Sequence, residues 1–295
     1  MTVAFVGAGN MGGALAERLC EAGWPVAVCD IDPPRQQQAL AAGASLADTP
    51  LSAVAQLGPH DALVIVVVDA DQCREVLWGE QGAANGMRPG QAVVLCPTIA
   101  PEDSVSIAQR LAEKGIDCID APMSGGPQRA RDGRMSLMVA APSAVLERQA
   151  DLLAALSLNV MRISERVGDG ARTKLVNNLL AGINLVGAAE VLALAERMGL
   201  DLTTTLDVIE RSSGQSWIGS DRMRRAIDGD LAPRAHMTLL EKDTRLAVAA
   251  ARSVGFEGPL GARAAGVFNA ASEAGMADLD DAALLPFLRQ AAPRP

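Results

Sequence analysis

Three glycines near the start of the chain are spaced for binding a pyrophosphate. Gly7, Gly9 and Gly12 form G-x-G-x-x-G between an apolar, strand-like stretch, residues 2–6, and a helix-like run. The first glycine allows a tight turn, the second admits the phosphates close to the backbone, and the third lets the helix pack on the strand. Asp30 lies 18 residues beyond Gly12, where a carboxylate is expected to bind a ribose hydroxyl. This order predicts a dinucleotide site.

The residues after the second predicted strand indicate which dinucleotide binds. A carboxylate at Asp30 accepts hydrogen bonds from a ribose 2′-OH but repels a 2′-phosphate. Ile31 stands where an arginine would bind that phosphate, so NAD is favoured, whereas the nearby Arg35 leaves NADP as an alternative. The residues predicted to bind the cofactor here are Gly7, Ala8, Gly9, Asn10, Met11, Gly12 and Asp30.

A lysine and an asparagine in residues 168–178, GDGARTKLVNN, are spaced for proton transfer. Lys174 and Asn178 are four residues apart, so they share one face of a helix. An ammonium and an amide together bind and polarise a hydroxyl or carbonyl oxygen. The lysine also transfers a proton if its pKa falls towards roughly 7–8. A solvated helix face is the structural alternative.

A third segment offers groups that suit a carboxylate. Residues 120–133, DAPMSGGPQRARDG, follow a predicted strand and so lie at the carboxyl edge of the sheet, where ligands of α/β proteins bind. Ser124, Gly125 and Gly126 supply a hydroxyl and backbone N–H groups. A surface loop is the alternative here, and residues 241–243, Glu-Lys-Asp, are equally compatible with a charged helix face.

The elements that must position these residues divide the chain in two. Strands and helices alternate in the first half, which predicts an N-terminal α/β domain, residues 1–165, with a doubly wound Rossmann sheet. An all-α C-terminal domain, residues 166–295, begins with a long helix that joins the domains. Strands are predicted at 2–6, 25–29, 62–68, 92–96, 117–120, 135–140 and 160–163, and helices at 11–22, 71–78, 101–114, 172–198, 203–211, 222–227, 239–253 and 262–274.

Composition excludes several classes of function. A net charge of −9 disfavours nucleic-acid binding, and apolar runs such as residues 62–68 are too short to span a bilayer. The five cysteines have no metal-ligand spacing, which suits a reducing cytoplasm and predicts no metal site. Because Met1 leads directly into the first strand, no secretory segment is expected, and the protein is predicted to be cytoplasmic.

Four motifs, taken in order, resemble the β-hydroxyacid dehydrogenase family, which includes 3-hydroxyisobutyrate dehydrogenase and tartronate semialdehyde reductase. They are GAGNMG at Gly7, DAPMSGG at Asp120, GDGARTKLVNN at Gly168 and EKD at Glu241. The resemblance covers nearly the whole chain. It implies a nicotinamide-binding N-terminal domain and a helical C-terminal domain through which homodimers or homotetramers form.

The same resemblance implies an activity and a role for each candidate residue. The activity is hydride transfer between NAD, or NADP, and a small hydroxy carboxylate of three to five carbons, with Lys174 as the catalytic acid and base. The substrate-binding residues implied are Ser124, Gly125, Gly126 and Asn178, and the further cofactor contacts are Val67, Val68, Thr98 and Lys242.

Two segments resemble the L-threonate dehydrogenase branch of the family, residues 179–201 and 212–223. Asn184 departs from that branch, which often carries His there, so 3-hydroxyisobutyrate dehydrogenase and tartronate semialdehyde reductase remain alternatives. An imine reductase is a further alternative, although relatives of that type generally lack the lysine found at Lys174. A non-catalytic NAD-binding sensor is the last.

Overall fold

The structure is a computed structural model that describes residues 1–291. It divides into two compact units, Met1–Lys174 and Leu175–Pro295. The boundary falls inside the long helix α9, Asp169–Arg197, so this helix contributes its first turns to one unit and the rest to the other. The last four residues of the second predicted domain, 292–295, lie outside the described residues.

Within residues 1–291, the first unit contains one nine-stranded sheet with the order β3-β2-β1-β4-β5-β6-β8-β7, and β9 pairs with β8. The stretch from β3 to β6 is parallel and has the strand order of a dinucleotide-binding Rossmann sheet. β8 runs antiparallel to β6 and β7. The predicted fold class is therefore confirmed. The strands are β1 Val3–Val6, β2 Val26–Cys29, β3 Ser45–Leu46, β4 Ala62–Ile65, β5 Ala92–Leu95, β6 Asp117–Asp120, β7 Met123–Ser124, β8 Ser136–Ala140 and β9 Asn159–Ser164.

The central strands are apolar throughout because both faces of the sheet are covered. Every residue of β1, β4 and β5 is buried. Side chains alternate along a strand, so Val3 and Phe5 pack into one apolar cluster while Ala4 and Val6 pack into the other. Uninterrupted apolar strands of this kind are typical of parallel sheets between two helical layers.

The helices of the first unit connect the strands. Asp103 and Glu102 in the first turn of α5 face the positive end of the helix dipole, and Pro101 begins that helix at the position where proline is favoured. The bounds are α1 Asn10–Glu21, α2 Pro33–Ala41, α3 Pro50–Val54, α4 Ala70–Trp78, α5 Pro101–Ala112, α6 Gly126–Arg131, α7 Ser143–Arg148 and α8 Ala150–Leu156, with a 3-10 turn at Ala83–Asn85.

The second unit is helical over its described residues. Its core contains Leu185 and Phe268, both fully buried. At Gly182 in α9 an added Cβ would lie 2.6 Å from the Thr244 side chain, so the helix that carries Thr244 packs closely against this glycine. Gly187 has nothing within 4 Å of that position. The remaining helices are α10 Leu202–Glu210, α11 Trp217–Ile227, α12 Met237–Ser253, α13 Gly261–Ala271 and α14 Leu284–Ala291, with a π-turn at Ser272–Met276 and a 3-10 turn at Asp281–Ala283.

Differences from the predicted elements fall on short segments and element ends. β4 stops at Ile65, three residues early, and α11 starts at Trp217, five residues early, because the Ser216 side chain caps it. Elements of two to nine residues show few periods of hydrophobicity, so some of them, unlike β4 and α4, were not predicted. Those not predicted are β3, β7, α2, α3, α6, α7, α8 and α14.

Helix α9 is long and apolar enough to cross a membrane, judged by length and composition alone. The core helix of a soluble protein meets the same criteria. In this chain the helix extends from the Rossmann unit into the helical unit and contributes Leu185 and Leu192 to the second core. Its apolar composition is therefore accounted for in part by packing within the fold.

Candidate active site

Predicted site residues of the first unit follow the carboxyl ends of neighbouring parallel strands. Gly7 follows β1, Val67 and Val68 follow β4, Thr98 follows β5, and Ser124 follows β6. Because β1, β4, β5 and β6 lie side by side and run parallel, their carboxyl ends form one edge of the sheet. The fold thus brings four separate sequence segments to the edge where α/β proteins bind ligands.

The glycine-rich loop requires glycine at two of its positions for steric reasons. Gly7 has φ +94°, and a Cβ there would overlap the carbonyl oxygen of Val66. A Cβ on Gly12 would overlap the carbonyl oxygen of Gly7. Gly9 is the N-cap of α1, whose first turn carries no acidic side chain and begins with Asn10 and Met11. The backbone N–H groups at a helix start suit a dinucleotide pyrophosphate.

The Asp30 carboxylate lies against this loop. Its Oδ2 accepts a hydrogen bond from the Ala8 backbone N–H at 2.5 Å, and its Oδ1 accepts one from Asp32 N–H at 2.8 Å. Arg35 is beside the loop as well, since a Cβ on Gly9 would lie 3.0 Å from its Nη1. Arg35 also pairs with Asp32 at 3.2 Å. The same loop is therefore flanked by the Asp30 carboxylate, which favours NAD, and by the Arg35 guanidinium, which favours NADP.

Ser124 ends the short strand β7, and Gly126 begins α6. Gly125 has φ +134° and Gly126 has φ +78°, so both adopt a backbone conformation that L residues rarely adopt. All three residues are half-buried. Their hydroxyl and backbone groups lie just beyond β6, at the same sheet edge as the glycine-rich loop.

A buried carboxylate that sequence reasoning left without a role ties α9 to this edge. Asp120, the last residue of β6, is 1% exposed, and its Oδ2 accepts hydrogen bonds from Gly168 N–H at 2.8 Å and Ala171 N–H at 2.9 Å. Burial raises the pKa of Asp120 to about 6 although these backbone bonds oppose the rise. Lys174, one turn further along α9, is itself buried at 7% exposure.

The second unit holds a side-chain cluster around Asp243. Its Oδ2 accepts a hydrogen bond from Asn178 Nδ2 at 2.6 Å, and its Oδ1 accepts one from Lys242 Nζ at 2.8 Å. Asp243 is 6% exposed, so the carboxylate is shared between two buried or nearly buried polar groups. The structure thus joins two predicted site residues through a third, whose only sequence signal was the motif EKD.

A cavity of about 360 Å³ opens on the second unit, and its lining includes none of the residues of the Asp243 cluster. Its arginines are already paired: Arg224 with Asp207, and Arg225 with Asp280. In the part of the chain that the structure describes, no group of three or more His, Cys, Asp or Glu residues could hold a metal ion. The cavity is lined by Glu210, Trp217, Ser220, Asp221, Arg224, Arg225 and Arg234.

The Rossmann sheet, the glycine-rich loop and the helical second unit define an NAD(P)-dependent oxidoreductase. Family models agree with this. Residues 2–164 match the NAD-binding domain of 6-phosphogluconate dehydrogenase. Residues 168–288 match a domain described as the NAD-binding domain of NADP-dependent 3-hydroxyisobutyrate dehydrogenase.

Individual relatives match along the full length. The chain is 37% identical to L-threonate dehydrogenase of Pectobacterium atrosepticum, covering 96% of this chain and 92% of that one. It is 34% identical to 3-hydroxyisobutyrate dehydrogenase of Pseudomonas aeruginosa, covering 92% of each. A crystal structure of 3-hydroxyisobutyrate dehydrogenase from Salmonella typhimurium is 36% identical, with a TM-score of 0.89 over 97% of this chain and 99% of that one. The protein belongs to the β-hydroxyacid dehydrogenase family typified by 3-hydroxyisobutyrate dehydrogenase.

Proposed function

We propose that this protein transfers a hydride between NAD and a small hydroxy carboxylate, and that a four-carbon sugar acid such as L-threonate is the preferred substrate. The main support is the buried Lys174, which lies one turn beyond the point where α9 is bonded to the ligand-binding edge of the sheet. A buried amine in that place suits general acid–base catalysis, whereas a solvated surface lysine does not.

Each candidate residue has a proposed role. Lys174 is the acid and base, and Asn178 donates a hydrogen bond to the reacting oxygen. The substrate carboxylate binds the hydroxyl and N–H groups of Ser124, Gly125 and Gly126. The cofactor-binding residues are Gly7, Ala8, Gly9, Asn10, Met11, Gly12, Asp30, Val67, Val68, Thr98 and Lys242.

The proton and the hydride leave the substrate by different routes. Bound NAD supplies a hydride acceptor at nicotinamide C4. In the oxidative direction, neutral Lys174 takes the hydroxyl proton on its Nζ while the substrate carbon loses its hydride. In the reductive direction, the Lys174 ammonium donates a proton to the carbonyl oxygen as the carbon gains the hydride. Both directions balance without a further co-reactant.

NAD preference follows from Asp30, because a 2′-phosphate would meet its carboxylate beside the loop. NADP is the alternative, through Arg35 next to Gly9. Steady-state kinetics with both dinucleotides tests this preference, and we expect a higher kcat/KM with NAD. A clear advantage for NADP that disappears in Arg35→Ala would contradict the proposal and assign the 2′-phosphate to Arg35.

The preference for a polyhydroxylated acid draws on the five L-threonate dehydrogenases among the relatives and on the polar segment Ser212–Trp217. Ser216 in that segment caps α11, since its Oγ accepts a bond from Gly219 N–H at 3.1 Å. A pocket that pairs extra hydroxyls discriminates by up to roughly 10⁴-fold against an apolar acid. A substrate such as 3-hydroxyisobutyrate or tartronate semialdehyde is the alternative.

A substrate panel tests the proposal. NADH absorbance is followed with L-threonate, D-threonate, D-glycerate and 3-hydroxyisobutyrate, and we expect the highest kcat/KM with a threonate. Lys174→Ala is the matched variant, and it should lose about 10²–10⁴-fold in kcat with NADH affinity little changed. Turnover of 3-hydroxyisobutyrate above the others would refute the polar pocket. Retained turnover in Lys174→Ala would remove the lysine from its role, and no turnover of any acid would favour an imine reductase or a non-catalytic NAD-binding sensor.

Assembly, domain division and location complete the proposal. We propose a homodimer or homotetramer that buries the apolar side chains exposed on α9, including Val176 at 73% and Leu180 at 59%. Light scattering coupled to gel filtration measures this, and a monomer at micromolar concentration would contradict it. The functional domains are proposed to divide after residue 165, and the compartment is proposed to be the cytoplasm.

A further inference from the structure

We propose that Asp120 is a positioning residue, whose carboxylate anchors the first turn of α9 at the sheet edge and so fixes the place of Lys174. The proposal rests on the role of Lys174 given under Proposed function. It concerns residues 120–174, which belong to one compact unit.

The contacts form a helix cap delivered from a distant strand. The first N–H groups of a helix have no partner within the helix, and a side-chain acceptor commonly satisfies them. At α9 this acceptor is not a neighbour in sequence. It is Asp120, which is 48 residues from Gly168 and 51 residues from Ala171 and receives an N–H from each. A backbone hydrogen bond from Gly170 to the same carboxylate also lowers the pKa of Asp120.

The backbone of α9 lies close against the strand ends at this point. A Cβ on Gly170 would be 3.0 Å from Asp120 Cγ and 2.9 Å from the carbonyl oxygen of Met138. Such distances are shorter than normal contacts, so only glycine permits the approach. Asp120 at the end of β6 and Met138 in β8 therefore both lie close against the first turn of α9, and Asp120 bonds to it.

The position of Lys174 depends on that turn. Ala171 precedes Lys174 by three residues, or about 4.5 Å along the helix axis. Helical side chains lean towards the N-terminus, so the Lys174 side chain extends back towards the anchored turn. A displacement of about 1 Å in a catalytic group can cost roughly 10²-fold in rate.

The charge of Asp120 is more than a cap requires. Asparagine caps helices about as well as aspartate. Burial nevertheless penalises the carboxylate here and raises the pKa of Asp120 to about 6. The anchoring therefore needs a hydrogen-bond acceptor at position 120 and does not need a charge. Asp120→Asn, which keeps an acceptor, should then differ from Asp120→Ala, which removes it.

The experiment compares Asp120→Ala, which removes the acceptor, with Asp120→Asn, which keeps an oxygen in place. Measurements are kcat and KM with L-threonate and NAD, Kd for NADH by fluorescence, Tm, and amide hydrogen exchange of the peptide covering 168–174. Asp201→Ala is the control, because Asp201 also caps a helix, α10, by accepting Thr204 N–H at 2.8 Å. Lys174→Ala sets the floor of activity.

We expect Asp120→Ala to lose about 10²-fold in kcat, with Kd for NADH and KM for NAD within about twofold of the parent, and to show faster exchange in residues 168–174. Asp120→Asn should stay within about tenfold of the parent kcat. Asp201→Ala should lower Tm with kcat unchanged.

Some outcomes overturn the inference while leaving the proposed function intact. One is an Asp120→Ala enzyme with parental kcat alongside an inactive Lys174→Ala. Unchanged exchange at residues 168–174 overturns it whichever acid is the substrate. If Asp120→Ala does not fold, Gly170→Ala keeps the carboxylate but separates the helix from it, and parental kcat in that variant also overturns the inference. Activity in Lys174→Ala instead contradicts the proposed function.

Discussion

The two units build their candidate sites from different parts of the chain. In the first unit the groups are mainly backbone N–H donors at strand ends, with Gly7 and Gly12 making the loop sterically possible. In the second unit the groups are side chains, and Asn178 meets Asp243 across 65 residues of sequence. A backbone site is specified by glycines a few residues apart, whereas a side-chain site depends on which helices pack together.

Their buried carboxylates show the same contrast. The hydrogen bonds that Asp120 accepts from Gly168, Gly170 and Ala171 all come from backbone N–H groups, and burial raises its pKa to about 6. For Asp280 in the second unit, burial is outweighed by a hydrogen bond from Arg225 and by backbone donors, and its pKa falls to about 2. At Asp120 the backbone donors do not offset the effect of burial on the pKa, whereas at Asp280 the Arg225 guanidinium and the backbone donors together outweigh it.

The largest expected effect tests the backbone site. Gly12→Ala places a Cβ on the carbonyl oxygen of Gly7, so the loop must open. We expect Kd for NADH to rise by up to about 100-fold, since overpacking costs about 1–3 kcal/mol. Gly266→Ala is the control, because nothing lies within 4 Å of its added Cβ. Unchanged NADH binding in Gly12→Ala would show that the loop is not the cofactor site.

The side-chain site is tested next, through Asp243→Ala. This change removes the acceptor that Asn178 and Lys242 share, and an unsatisfied buried polar group costs about 1–3 kcal/mol. We expect kcat/KM to fall at least about tenfold. Urea denaturation should show a free energy of unfolding lower by about 1–3 kcal/mol. Asp207→Ala breaks a more exposed pair with Arg224 and should change neither quantity measurably. If Asp243→Ala keeps the kcat/KM of the parent, the cluster around Asp243 has a structural role only.

The two carboxylates should give stability profiles of opposite sign. The folded protein holds the Asp120 proton up to about pH 6, whereas the unfolded chain releases it near pH 4, so this group makes stability fall as pH rises from about 4 to 6. Asp120→Asn should remove that fall. Relative to the parent, the free energy of unfolding of the variant should be higher by up to about 3 kcal/mol at pH 7 than at pH 4.

Asp280→Asn is the matched variant for this comparison. Because its folded pKa is depressed, the stabilisation by Asp280 is present above about pH 4 and is lost as pH falls towards 2. Asp280→Asn should therefore be less stable than the parent at pH 7 and approach it in acid. Urea denaturation at several pH values measures both variants, and profiles of the same sign would contradict the contrast.

The smallest expected effect compares two glycines of α9. Gly182→Ala brings a Cβ to 2.6 Å from Thr244 and should destabilise the protein by about 1–2 kcal/mol. Gly187→Ala meets nothing within 4 Å and should stabilise it by up to about 1 kcal/mol. Differential scanning calorimetry resolves shifts of this size. Equal shifts would mean that close packing does not explain the glycine at 182.

The sequence by itself determined the fold class, the glycine-rich loop and the family. These depend on local patterns: apolar strands, G-x-G-x-x-G from Gly7 to Gly12, and an acid at Asp30. Local patterns survive in sequence because the residues that must cooperate are neighbours, or follow one another at the spacing of a strand and a helix. Eight short elements were missed because the few residues in each show no clear period, whereas the short strand β4 was found from its uninterrupted apolar run.

Only the tertiary structure decided what Asp120 and Asp243 contact. Asp120 is the last residue of a strand and caps a helix that starts about 50 residues later. Asp243 reaches Asn178 from another helix. No periodicity of the sequence encodes such pairs, because hydrogen bonds between distant segments depend on how strands and helices pack, and packing is a property of the whole chain.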